Sequence, residues 1–192
     1  MRRTAHAVPR DRTRGVIVQR YVVVDWRTIT IVSGGQTGAD RAALDFAIEH
    51  DIPHDGWCPR GRLAEDGPIA ARYQLQETPA RRYAQRTEWN VRDSDATVVF
   101  SIAPNPTGGT RLTLRIAQQL GKPSLHLWRD EMAASTDRLP IAESARRLVE
   151  FLESQRICRL NVAGPRASQE AEIGTYVRQV LQAAINKRES SA

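Results

Sequence analysis

Three short segments carry residue types and spacings that could do chemistry. Ser33-Gly34-Gly35-Gln36-Thr37-Gly38-Ala39-Asp40 follows a β-rich run and precedes an amphipathic one. Glycines at a strand-to-helix junction let the backbone turn tightly, and the free N–H groups that open the helix form an anion site. A phosphate suits such a turn, with Gly34, Gly35, Gln36, Thr37, Gly38 and Asp40 as candidate contacts. The G-G-x-x-G spacing is not the G-x-G-x-x-G dinucleotide fingerprint, and no Lys follows Gly38 as a P-loop requires. The alternative is a plain turn with Thr37 or Asp40 capping the helix. Asn105-Pro106-Thr107-Gly108-Gly109-Thr110 repeats the arrangement, with Gly108, Gly109 and Thr110 as anion contacts or Thr110 as a simple N-cap. Leu160 to Ser168 again joins a strand to a helix, offering Arg166 as an anion contact or Ser168 as a cap. In an open α/β sheet, ligands bind beyond the C-terminal strand ends where the connections change direction, so these turns could border one cleft.

The segment Trp57 to Pro68 is dense in functional groups. Arg60 and Arg62 could clamp phosphate, while Glu65 and Asp66 could hold a ribose hydroxyl, a metal or a proton, and are the candidate catalytic groups of a hydrolase. A solvated loop is the plainer reading. Cys58, alone between Trp57 and Pro59, reads as packed. Of the four histidines only His50 and His54 are four apart, and they straddle a helix end and Pro53, so no zinc site is expected. Trp89, Asn90 and Arg92 stand just before a strand, near a ligand or at a capped helix end. No Ser-His-Asp or Cys-His arrangement is present.

The elements that must position these groups alternate. Thr28 to Ser33 reads as a strand and residues 39–50 as a helix with Ala39, Ala42, Ala43, Phe46 and Ala47 on one face. Val22 to Val24 could add a short strand. Residues 51–90 give a weak signal, with at most a strand around Ile52 to Trp57 and then a long polar loop, of a length that is usually functional or mobile. Beyond it the sequence predicts a strand at 95–101, a helix at 110–120 closed by Gly121, a strand at 124–128, a helix at 141–154, a strand at 158–163 and a helix at 169–187. Strands alternating with helices of ten or more residues require crossovers, so the expected fold is α/β, a Rossmann-like three-layer arrangement around a mainly parallel sheet.

Composition bounds the function. At 192 residues and 41% hydrophobic, one domain over 21–188 is expected, preceded by a disordered basic tail at 1–20. The formal charge of +6 invites a nucleic-acid reading, but six of the 28 cations and one of the 22 acids fall in that tail, leaving the remainder close to neutral. Nucleic acid is therefore not the expected partner. No apolar run approaches the ~20 residues of a membrane span, which removes the membrane as a partner. Two cysteines a hundred residues apart form no disulfide framework, so a reducing cytoplasm is the expected compartment.

Several segments in order, SGGQTGADRAALDFA at 33–47, GWCPRGRLAEDGPIAARY at 56–73, RTEWNVRDSDATVVFS at 86–101, GGTRLT at 108–113, GKP at 121–123 and LNVAGPRAS at 160–168, resemble the bacterial "putative molybdenum carrier" family. The resemblance spans about residues 28–186. It implies a Rossmann-like fold, kinship with the lonely-guy nucleotide phosphoribohydrolases and the algal molybdenum cofactor carrier, and a homo-oligomer. The expected function is binding or carrying a phosphorylated small molecule, with molybdenum cofactor (molybdopterin) the named candidate. The alternative is a nucleotide-processing N-glycosidic hydrolase, using Glu65 or Asp66 with Arg60, or a nucleotide sensor of the same fold. The phosphoribohydrolases carry P-G-G-x-G-T-x-x-E. Here Pro106 to Thr113 keeps the phosphate half, while Thr113 stands where the ribose-handling Glu would be, a departure that favours binding without cleavage.

Overall fold

A computed structural model describes residues 24–129 and 139–186. The expected tail at 1–20 and the first two residues of the possible strand at 22–24 lie outside the described residues. Five strands form the central sheet: β1 (Thr30–Val32), β2 (His54–Asp55), β7 (Ala96–Ser101), β8 (Ser124–Trp128) and β9 (Arg159–Ala163). All are parallel, in the order β2-β1-β9-β7-β8. All six residues of β7 are buried, the signature of a strand covered on both faces. Helices α1 (Ala39–Glu49), α4 (Leu139–Gln155) and α5 (Ile173–Asn186) pack together in one layer, and α2 (Tyr83–Arg92) packs on α3 (Gly108–Gln119). This is the expected three-layer α/β architecture.

The order holds a lesson about connectivity. Counted from β9, the strands follow as β9, β1, β2, β7, β8, and the sheet reads 3-2-1-4-5, the doubly wound order. The strand that would ordinarily come first is here made last. The crossover from β1 through α1 runs outward to β2, the crossover from β7 through α3 runs the opposite way to β8, and β9 lies between them. The C-terminal ends of β1, β9 and β7 therefore border the reversal point, where a crevice forms.

Two regions depart from the sequence-based elements. Thr28 is not in β1: Trp26–Thr28 is a 3-10 turn, because the Asp25 carboxylate accepts the Arg27 N–H at 3.2 Å and its carbonyl accepts the Thr28 hydroxyl at 2.7 Å. Between β2 and β7 lie two small ribbons, a parallel pair of β3 (Trp57–Cys58) with β6 (Gln76–Glu77) and an antiparallel pair of β4 (Leu63–Ala64) with β5 (Gly67–Pro68). They enclose a separate apolar cluster of Leu44, Cys58, Ile69, Tyr73 and Leu75. Helix α2 follows. It gave little periodic signal because only Asn90 and Val91 of its ten residues are fully buried.

Candidate functional site

Ser33 ends β1 by donating its hydroxyl to the Val162 carbonyl of β9 at 2.8 Å, which ties the first turn to the sheet centre. The turn that follows is enclosed. A Cβ on Gly34 would fall on the Arg86 guanidinium, which reaches over from α2 to donate to Asp40 at 2.9 Å. Gly38, with φ of +79°, lets the chain pass so close to the β9–α5 turn that a Cβ there would meet the Pro165 carbonyl oxygen at 2.5 Å. Gly35 lies against Ile69 and Leu75. Two backbone donors of this turn are taken: Gln36 N–H by the Asp40 carboxylate at 3.4 Å, and Thr37 N–H by the Gln36 side-chain carbonyl at 3.0 Å. Gly38 is the N-cap residue of α1 and no side chain caps the helix, so neither Thr37 nor Asp40 plays that part. Asp40 is buried, and burial raises its carboxyl above the ordinary aspartate range against the lowering pull of Arg86.

The loop after β3 is held by its charges. Arg62 is not a free clamp: its guanidinium donates to the carbonyls of Ile69, Ala70, Tyr73 and Leu75, fastening the loop beside its small apolar cluster. Arg60 is exposed and makes no side-chain hydrogen bond among the described residues. Asp66 pairs with Arg41, which also donates to the Gly35 carbonyl at 3.1 Å. Glu65 accepts the hydroxyls of Thr37 and Ser168, the latter at 2.5 Å, and the Ser168 N–H at 3.2 Å, while its own N–H goes to Gln36 Oε1 at 2.9 Å. Hydrogen bonds from Ser168 and Thr37 hold its carboxyl below the ordinary glutamate range, and the Arg41 hydrogen bond does the same for Asp66. Both are anions at neutral pH. Cys58 is fully buried, and that burial pushes its thiol pKa up.

The turn after β7 is open. Ile102 N–H is anchored to Glu170 at 2.6 Å, and the chain then runs exposed from Ala103 to Gly109 apart from a half-buried Pro106. Helix α3 starts at Gly108 with Thr107 as N-cap and no capping side chain, so its first amides lack a side-chain partner. Thr110, expected as a possible cap, is instead the buried third residue of the helix. Among the described residues nothing lies within 4 Å of a Cβ placed on Gly108 or Gly109. Thr113 turns its hydroxyl back to the Gly109 carbonyl at 2.9 Å.

On the β9–α5 turn, Arg166 lies over the Tyr83 ring at 4.6 Å, and Ala167 N–H donates to the Thr37 hydroxyl at 3.2 Å. Ser168 does not cap α5, which begins at Ile173, because it is committed to Glu65. The structure thus brings Thr37, Glu65, Arg166 and Ser168 together across three turns. Gly34, Gln36 and Asp40 lie enclosed beside them, and Gly108 to Thr110 form the open lip after β7. Trp89, Asn90 and Arg92 serve the fold: Asn90 holds both backbone groups of Trp57, and Trp89 packs edge-on against Trp57 beneath Arg92. Tyr83, Arg86 and Glu170 were not foreseen, and Ser168 was expected only as a cap, since each acts across elements rather than at a motif spacing. Among the described residues no group of three or more His, Cys, Asp or Glu is placed to hold a metal. A groove between α1, α4 and α5, lined by Phe46, Ile141, Arg178 and Gln182, holds none of the candidate residues.

Comparison with known proteins places this architecture. Residues 31–185 match the model of the circularly permutated YpsA SLOG family, a description that agrees with the strand made last and placed at the centre. The chain is 44% identical to a protein from Syntrophus aciditrophicus whose crystal structure is titled "putative molybdenum carrier protein", covering 84% of this chain and 98% of that one with a TM-score of 0.77. No curated protein matches.

Proposed function

The chain belongs to the circularly permutated YpsA SLOG family, and on that premise we propose that it binds and carries a phosphorylated small molecule, with molybdenum cofactor as the candidate cargo. The observation that carries this reading is the uncapped α3 N-terminus, Gly108-Gly109-Thr110, standing open at the reversal point of the sheet. Its amides and helix dipole would take the terminal phosphate. Arg166, over the Tyr83 ring at the neighbouring turn, offers a cation to a pterin or base, and exposed Arg60 a further one. Thr37 would complete the polar wall. Gly34, Gly35, Gly38 and Asp40 shape the turn that positions Gln36 and Thr37.

The cargo's phosphate and ring suit these residues better than its metal does. Cys58, protonated and packed among Leu44, Ile69, Tyr73 and Leu75, is no thiolate donor. Binding without cleavage is supported by Thr113, which offers no carboxylate at the sugar position and spends its hydroxyl on its own helix. Glu65 and Asp66, both ionised and both engaged, are poorly set as proton donors. We place the protein in the cytoplasm, on its two free cysteines, and as a homo-oligomer. No described helix is long and apolar enough to cross a membrane.

The test is purification from the native cell type under reducing, oxygen-poor conditions, followed by native mass spectrometry and metal analysis. Molybdenum or a pterin mass at near-stoichiometric amount is expected, and the same spectra count subunits. A nucleotide mass, or an empty protein that then takes or cleaves nucleotides, would replace the carrier reading with the sensor or hydrolase reading.

A further inference from the structure

Glu65 is an anion bound by its own protein. Two hydroxyls, Thr37 and Ser168, and the Ser168 N–H converge on its carboxylate from two different turns, with the Arg166 charge nearby lowering its proton affinity. That donor set, hydroxyls with a backbone N–H and a guanidinium, is what a tetrahedral oxyanion takes from a protein. Beneath it sits the Gln36 carboxamide, which is 3% exposed. Its Oε1 accepts both the Thr37 and Glu65 N–H groups, and its Nε2 is buried with no acceptor among the described residues. A buried donor without a protein acceptor takes one from outside the chain, a water or a ligand atom.

We propose that Thr37, Ser168, Arg166 and Gln36 form a second oxyanion site, for a phosphate-class group, which Glu65 fills until the ligand arrives. The choice of a phosphate-class anion rests on the phosphorylated-ligand reading. The site is distinct from the α3 lip and would take a second acidic group of the same ligand, or the same group on its way in. Glu65 is free to leave: it is exposed, on the tight connection between β4 and β5, while the loop stays fastened through the four carbonyls held by Arg62. Two anions cannot share these donors, so ligand and Glu65 exclude each other.

The experiment titrates inorganic phosphate and pyrophosphate into the full chain and its variants, reading calorimetry and the amide NMR signals of Ala167, Ser168 and Gly108 to Thr110. Glu65→Ala is expected to tighten phosphate or pyrophosphate binding by about tenfold or more, with the Ser168 amide moving on titration. Adding Ser168→Ala should remove the gain. Glu65→Gln, which keeps the side-chain shape, should give a smaller gain in the same direction and serves if the alanine variant folds poorly. Unchanged or weakened binding in both Glu65 variants would overturn the proposal and make Glu65 a ligand contact or a structural tie. Movement of the α3 amides without Ser168 sinks this site alone. Silence at both sites in every variant sinks the phosphorylated-ligand reading with it.

Discussion

The turns after β1 and after β7 stand at corresponding places, each joining a parallel strand to the helix that follows and each built on paired glycines. They are finished in opposite ways. After β1 the glycines exist so that other parts of the protein can come close: Arg86 over Gly34, and the Pro165 to Ala167 backbone against Gly38. After β7 no described residue approaches the Cβ position of Gly108 or Gly109, and both glycines are exposed among the described residues. Glycine at a helix start can thus stand in two physical settings, packed against other parts of the chain or clear of them, and only the neighbours across the fold tell them apart.

Substitutions can break that contrast. Gly38→Val should be the most damaging, because it forces a β-branched residue into positive φ and drives its Cβ onto backbone that cannot move. A loss of more than about 4 kcal/mol is expected in urea unfolding, up to failure to fold. A folded Gly38→Val protein with wild-type stability would mean the first turn is open after all.

Arg86→Ala comes next. It strands the buried Asp40 carboxylate and should cost about 3–5 kcal/mol at neutral pH. The sign with pH follows from the raised Asp40 carboxyl: the native state holds this proton more tightly than the unfolded chain, so its contribution is fully present below the unfolded value and lost as pH rises through the folded one. Without Arg86 the rise is larger, so the penalty measured at about pH 5 should be smaller than at about pH 7. Equal penalties would show that Asp40 is not the group left unpaired. Asp40→Asn in the same background should recover much of the loss.

Gly109→Val tests the open turn. The side chain points into free space, so stability should change by no more than about 0.5 kcal/mol, while the affinity for a phosphorylated ligand falls about tenfold or more. Undiminished affinity would move the phosphate away from α3. The smallest effect is expected from Ser168→Ala, which should raise the Glu65 carboxyl toward the ordinary range in an NMR titration. Glu65, held low, supports the native state above its unfolded value and loses that support as pH falls through the folded one; the variant should show less of this acid sensitivity.

Much of the frame was legible in the sequence because it is repetitive. The run Ala96 to Ser101 and the stripe Ala39, Ala42, Ala43, Phe46 and Ala47 declare a buried strand and a core-facing helix through local pattern alone. The stretch 51–90 was not legible, since it is stabilised by particular pairings: Arg62 with four carbonyls, Asn90 with the Trp57 backbone, Asp66 with Arg41. Such pairings leave no periodicity, and the small cluster beside them draws on the scattered positions Cys58, Ile69, Tyr73 and Leu75. The site divides similarly. Glycine turns announce themselves at strand ends, but the reach of Arg86 from α2 to Asp40, or of Glu65 to Ser168, joins residues 46 and 103 positions apart through the tertiary fold.

The central place of β9 also sets an order of events. Growing from the ribosome, the chain presents β1, β2, β7 and β8 before the strand that must lie between β1 and β7 exists. The two halves of the sheet can pair only at their outer edges until residues 159–163 emerge, and the long-range pairings that join them come late. All three turns meet only at that moment. The face that these turns form together cannot exist while the protein is still being made, and a premature stop before β9 would remove the middle of the sheet rather than a margin.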